Sequence, residues 1–225
     1  MDNLLGKALL GFAFLVGVLA LALFGSVGSL RYWQAWLYLA VFGMCILLIT
    51  AYLFRYDQKL LASRVQVGPT AEPDRVQQII QSIASLCFIG LFIVCGLDER
   101  FHWTTVAPTL SVMANGVVVL GFWIVFLVFR ANTYTSATIE VAPEQTVITS
   151  GPYAIVRHPM YAGATLLLFG TPLALGSWIA LPCVLPLILV IVVRLLAEER
   201  FLQTHLVGYT AYRHQVHYRL VPFIW

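Results

Sequence analysis

Apolar residues in this chain run in long blocks, not in the alternating patterns of helices or strands packed against water. Four blocks, residues 8–27, 35–54, 79–97 and 106–129, are each near the ~20 residues that carry a helix across a hydrocarbon core about 30 Å thick. Two more, 161–175 and 178–196, are separated only by Gly176-Ser177, which predicts a tight helical hairpin. The first of these spans about 22 Å as a helix, short of a full crossing. Polar residues gather in a connector at 55–78, which contains Gly68-Pro69 and Glu72-Pro73, and in a loop at 130–156. In that loop, β-branched stretches beginning at Thr135 and Gln145 flank Pro143-Glu144, predicting a short hairpin or a pair of extended strands. The whole pattern predicts an all-α, multi-pass membrane bundle of six hydrophobic segments with a small cytosolic cap. Residues 1–130 hold the first four spans, and 131–225 hold the loop, the hairpin and an amphipathic tail.

Composition agrees with this class: 60% of the 225 residues are hydrophobic and 10% are charged, outside the range of soluble domains. Lys7 before the first block also suits a signal peptide, but the equal blocks that follow favour an uncleaved span. Tyr32, Trp33 and Trp36 lead the second block and suit the headgroup level. Eleven of the thirteen basic residues fall on one side of the six segments, and only Arg31 and Arg100 on the other. By the positive-inside rule, both termini and the 130–156 loop face the cytoplasm. Basic residues are scattered over loop ends, so there is no nucleic-acid footprint. Cys45, Cys87, Cys95 and Cys183 lie inside apolar runs without metal-ligand spacing, which reads as buried apolar residues and no metal site.

Groups capable of chemistry concentrate in the stretch from Thr149 to Gly163 and in the tail that follows the last apolar block. Gly151-Pro152 signals a turn, and Pro159 suits the first position of a helix, where its missing N–H costs nothing. Arg194 and Glu198, four residues apart, share one face of the last helix, with Glu199 turned by one residue. Ionisable groups at the inner end of a span are costly to bury and therefore suggestive. Tyr209 and Tyr212, spaced three apart in the amphipathic tail, read by themselves as membrane anchors.

Taken together, Gly151-Pro152-Tyr153, Arg157-His158-Pro159-x-Tyr161-x-Gly163, the apolar hairpin, Arg194-x-x-x-Glu198-Glu199, Tyr209-x-x-Tyr212 and Arg219-x-x-Pro222 resemble the isoprenylcysteine carboxyl methyltransferase family over roughly residues 145–225. The resemblance implies an integral membrane enzyme that takes S-adenosyl-L-methionine from the cytosol and methylates a lipophilic acceptor, a carboxylate, reached from the bilayer. It implies a cofactor pocket built from Val147, Ile148, Tyr153, His158, Pro159, Met160, Tyr161 and Glu199 or its neighbour Glu198. Arg194 corresponds to the acceptor-binding arginine, and Glu198 joins it in the catalytic pair. Around Val207-Gly208-Tyr209 the chain is shorter than the eukaryotic pattern, a departure that bears on the acceptor more than on the cofactor.

The chemistry is compatible with that assignment. Methyl transfer is an in-line displacement from a sulfonium, for which a protein supplies alignment and exclusion of water. Tyrosine faces attract a sulfonium, a glutamate pairs with the methionine ammonium, and an arginine holds a carboxylate ionised. For an amine acceptor, as in a phospholipid N-methyltransferase, Glu198 or His158 takes the proton. A sterol-type reductase shares an Arg-His-Pro-x-Tyr-like element, but NADPH calls for a basic cluster, and residues 131–156 contain no Lys or Arg. A scaffold or transporter is expected to carry ionisable groups within several spans, whereas spans two to four have none between their ends.

Overall fold

The computed structural model describes residues 2–65, 75–135 and 145–225. Among them are eight α-helices: α1 (Asp2–Val27), α2 (Trp33–Tyr56), α3 (Gln58–Val65), α4 (Arg75–Phe101), α5 (Pro108–Ala131), α6 (Pro159–Ala174), α7 (Val184–His205) and α8 (Tyr209–Gln215). Helices α1, α2, α4 and α5, and the stretch Leu181–His205 that contains α7, are long and apolar enough to cross a membrane. Large apolar side chains such as Leu10, Phe14, Leu21, Leu48, Leu86 and Leu189 point outward, as lipid-facing surfaces require. The protein is an integral membrane helix bundle. Of the two extended stretches expected at 135–142 and 145–149, the first lies, except for Thr135, outside the described residues, and the second forms no regular element.

The hairpin forms where the sequence predicts it. Pro159 occupies the start of α6, and Gly176 closes its far end at φ 80°, the left-handed region that favours glycine. With 16 residues, α6 is about 24 Å long. It nevertheless reaches the opposite end of the bundle, because it stands inside: it packs along α5 and touches α2, α4 and α7. At that end the turn is fastened by polar groups. Asp98, 1% exposed, accepts hydrogen bonds from the Thr104 N–H (2.7 Å), the Thr104 hydroxyl and the Ser177 hydroxyl. Tyr32 donates to the Leu175 carbonyl, and the Trp178 N–H donates to Thr104 Oγ1 at 3.0 Å. The tip of the hairpin therefore lies with Tyr32 and Thr104, on the Arg31 and Arg100 side, and α7 returns toward the basic side.

Small residues allow α5 and α6 to approach closely. A Cβ on Gly163 would lie 2.8 Å from the Gly121 carbonyl oxygen, and one on Gly121 would lie 2.8 Å from that of Gly163. Without a hydrophobic force between helices in lipid, such backbone contact supplies much of the association. Gly163→Ala is expected to lower stability by about 1–3 kcal/mol by forcing the helices apart. Thermal unfolding in detergent measures this, and an unchanged midpoint would contradict it. One core cluster includes Leu23, Phe42, Phe92, Val118, Leu175 and Leu187, and so runs continuously across position 130.

Candidate active site

The polar stretch after α5 is tied to the tail by its own backbone. A short 3-10 turn, Gly151–Ala154, begins with Gly151 at φ 61° and carries Tyr153. Beyond it, the Arg157 and His158 N–H groups donate to the carbonyls of Tyr218 (2.9 Å) and Arg219 (3.0 Å), so the chain end lies alongside the entry to α6.

Glu199 fastens this arrangement. Only 3% exposed, it accepts from Arg157 Nε at 2.7 Å through Oε1 and from Arg219 Nε at 3.0 Å through Oε2, with His158 Nε2 3.3 Å from Oε1. Arg157, 6% exposed, also donates through Nη1 to the carbonyls of Val216 and His217, both at 2.8 Å. A buried carboxylate is tolerable when it is paired and hydrogen-bonded in this way. Glu199 thus joins α7, the motif and the tail. Its oxygens are engaged by Arg157, His158 and Arg219, whereas the sequence resemblance implies that Glu199 or Glu198 meets the cofactor.

That cavity, of about 390 Å³, lies between the loop, the tail and the basic-side ends of α4, α6 and α7. Its size is within the usual range for small-molecule sites, roughly 300–1,000 Å³. Val147, Ile148, Tyr153, His158, Pro159, Met160, Tyr161, Arg194 and Glu198 all line it; Glu199 does not. The 100° between neighbouring residues of a helix explains the division: Glu198 lines the cavity, while Glu199 binds Arg157 and His158, which themselves line it. The Tyr161 hydroxyl donates to Glu198 Oε2 at 2.8 Å, and Arg194 Nη1 donates to Gln81 Oε1 of α4 at 3.2 Å. Asn132 donates to the Tyr153 hydroxyl at 3.1 Å, and burial pushes that phenol up to about 12, so it stays neutral.

The tail tyrosines are not anchors. Tyr209 and Tyr212, each 4% exposed, pack with Leu206, Val147 and Tyr153, and both line the cavity. The Tyr212 hydroxyl donates to the Tyr153 carbonyl at 2.7 Å. Helix α8 can fold back because Gly208, at φ 88°, turns the chain just before it. Exposed apolar surface of the kind expected of an anchor lies instead at Val207 and, at the end of the tail, at Val221, Phe223 and Ile224.

Residues 109–207 match the family model described as phospholipid methyltransferase, which belongs with the isoprenylcysteine carboxyl methyltransferases among membrane methyltransferases. Over those residues the chain is similar to membrane methyltransferases. The matched segment runs through most of α5, the loop, α6 and α7, the elements that build most of the cavity. Comparison with curated proteins returned no match.

Methyltransferases of this type normally use S-adenosylmethionine, and the cavity suits such a ligand. The Tyr209 hydroxyl is buried without a hydrogen-bond partner among the described residues, a polar atom that a polar ligand would satisfy. Aromatic faces at Tyr153 and Tyr161 and the carboxylate of Glu198 share the space. Arg64, Gln81 and Asn132 also line the cavity, and sequence reasoning misses them. Of these, Gln81, an amide near the basic-side end of an apolar block, offered a detectable signal.

Proposed function

We propose that the protein transfers a methyl group from S-adenosyl-L-methionine to a lipophilic acceptor, most directly a carboxylate. The observation that carries this reading is one continuous cavity, polar toward the loop and tail and apolar at Ala84, Ala164, Val190 and Ile191, with Arg194 and Glu198 between the two ends. Bound there, the cofactor supplies a methyl group made electrophilic by the sulfonium. Tyr153, Tyr161 and Glu198 bind and orient that cation, with His158 and the 147–148 segment enclosing it. Arg194 holds the acceptor's carboxylate ionised, the nucleophilic form, so no proton need be removed. The acceptor comes from the bilayer, and membrane lipids are therefore part of the working environment.

The family match to phospholipid methyltransferases favours a second acceptor, a phospholipid amine. In that case Glu198 takes the ammonium proton before attack. The two acceptors differ in product. Purified protein in nanodiscs is given methyl-labelled cofactor with a prenylated cysteine, a fatty acid or phosphatidylethanolamine. Label released by mild alkali is an ester and supports the carboxylate; alkali-stable label in the headgroup supports the amine; no transfer to any of them counts against the proposal.

Both termini and the cavity face the cytoplasm on this reading, because eleven of thirteen basic residues lie on that side. A single cysteine at Glu140, a position outside the described residues, is expected to resist impermeant thiol reagents in intact cells. Labelling from outside would overturn the orientation.

A further inference from the structure

Arg64 belongs to α3, which precedes the matched segment, yet it faces the same cavity as Arg194. Helix α3 is fixed in place: Asp57 Oδ1 accepts from the Leu60 N–H at 3.0 Å, and Leu60 and Leu61 bury against Leu53 and Phe129. The guanidinium lies over the Phe129 ring at 4.9 Å, with Nη2 3.5 Å from the Met160 sulfur. Its Nε is buried with no hydrogen-bond partner, and no carboxylate of the described residues forms an ion pair with it. Burial lowers its pKa to about 10, which still leaves it charged at neutral pH. Glu198 across the cavity favours its charge without pairing with it, and Arg194 opposes it, so a buried cation in direct contact mainly with a ring and a thioether gains from a further anion beside it.

The position of Arg64 indicates which anion. It stands against the ends of α5 and α6, at Phe129 and Met160, with Tyr153, Tyr161, Glu198 and Arg194 as its titratable neighbours in the cavity. The apolar walls at Ala84, Val190 and Ile191 suit a hydrocarbon chain leading away from a charged head. We propose that Arg64 and Arg194 together form a cradle for the anionic headgroup, phosphate or carboxylate, of a membrane amphiphile, so that α3 selects the methyl acceptor. This rests on the reading of the cavity as a methyl-transfer site. A planar guanidinium grips either oxyanion at two points, which an ammonium does not.

The test uses the full-length protein in neutral detergent, titrated with dodecyl phosphate, dodecanoate, dodecanol and, separately, S-adenosylhomocysteine. The parent is expected to bind at least one anionic amphiphile about tenfold or more tighter than dodecanol, and Arg64→Met is expected to weaken that binding about 10–100-fold. Arg64→Lys is expected to fall between the two. Both variants keep their affinity for S-adenosylhomocysteine, which also reports that they are folded. The stronger of the two anionic ligands identifies the headgroup. A parent that does not discriminate between charged and neutral amphiphiles overturns the cradle. So does a variant, Lys included, that loses S-adenosylhomocysteine while keeping the amphiphile, since Arg64 would then serve the cofactor's carboxylate. If the parent holds anionic amphiphiles through Arg64 but methylates none, the methyl-transfer reading fails and the cradle stands.

Discussion

Glu199→Ala is expected to release the tail and take the binding site with it. The substitution leaves Arg157 and Arg219 without their carboxylate and removes the contact to His158. Breaking a buried ion pair by deleting one partner costs about 3–5 kcal/mol, a large share of the roughly 5–15 kcal/mol that holds a domain folded. The expected signs are a lower unfolding temperature in detergent and rapid tryptic cleavage at Arg213 and Arg219, which the parent resists. Binding of S-adenosylhomocysteine falls as a consequence. A Glu199→Ala protein that stays as stable and as protease-resistant as the parent, yet no longer binds S-adenosylhomocysteine, would return Glu199 to the cofactor.

Arg194→Lys is expected to act on the acceptor alone. Lysine keeps the charge but loses the planar two-point grip, and the hydrogen bond to Gln81 loses its geometry. Acceptor kcat/KM should fall about 10–100-fold, the loss of roughly 1.5–3 kcal/mol that one charge-assisted contact supplies. S-adenosylhomocysteine affinity should remain unchanged. Loss of cofactor affinity with normal acceptor kinetics at saturating cofactor would move Arg194 to the cofactor side. Unchanged kinetics would leave it a structural partner of α4.

The spans and the hairpin were legible because lipid imposes a simple rule: a segment of about 20 apolar residues satisfies its backbone internally as a helix. Pro159 and Gly176 marked the ends of α6 by their own backbone requirements. The depth to which α6 reaches was not legible. Its 16 residues suggest an incomplete crossing, and only the enclosure of α6 and the Asp98, Thr104 and Ser177 cluster bring its tip to the far end.

In the candidate site, nine of the ten residues expected from the ordered motifs line one cavity. The tenth, Glu199, differs from Glu198 by a single helical step, and sequence spacing does not say which of two adjacent residues faces a ligand. Tyr209 and Tyr212 read as anchors because an amphipathic tail looks alike whether its apolar face meets lipid or protein. The return of that tail depends on Arg157 reaching the Val216 and His217 carbonyls, contacts some sixty residues apart. Arg64 was counted only as a loop charge, since its role depends on where α3 packs.

The central claim, that the cavity between loop, tail and α7 holds S-adenosylmethionine, is tested most directly by calorimetric titration of the purified protein with S-adenosylhomocysteine, alongside Glu198→Gln and NADPH. The account predicts saturable binding of one S-adenosylhomocysteine per chain, weakened about tenfold or more in Glu198→Gln, and no binding of NADPH. Saturable NADPH binding with no response to S-adenosylhomocysteine would contradict it.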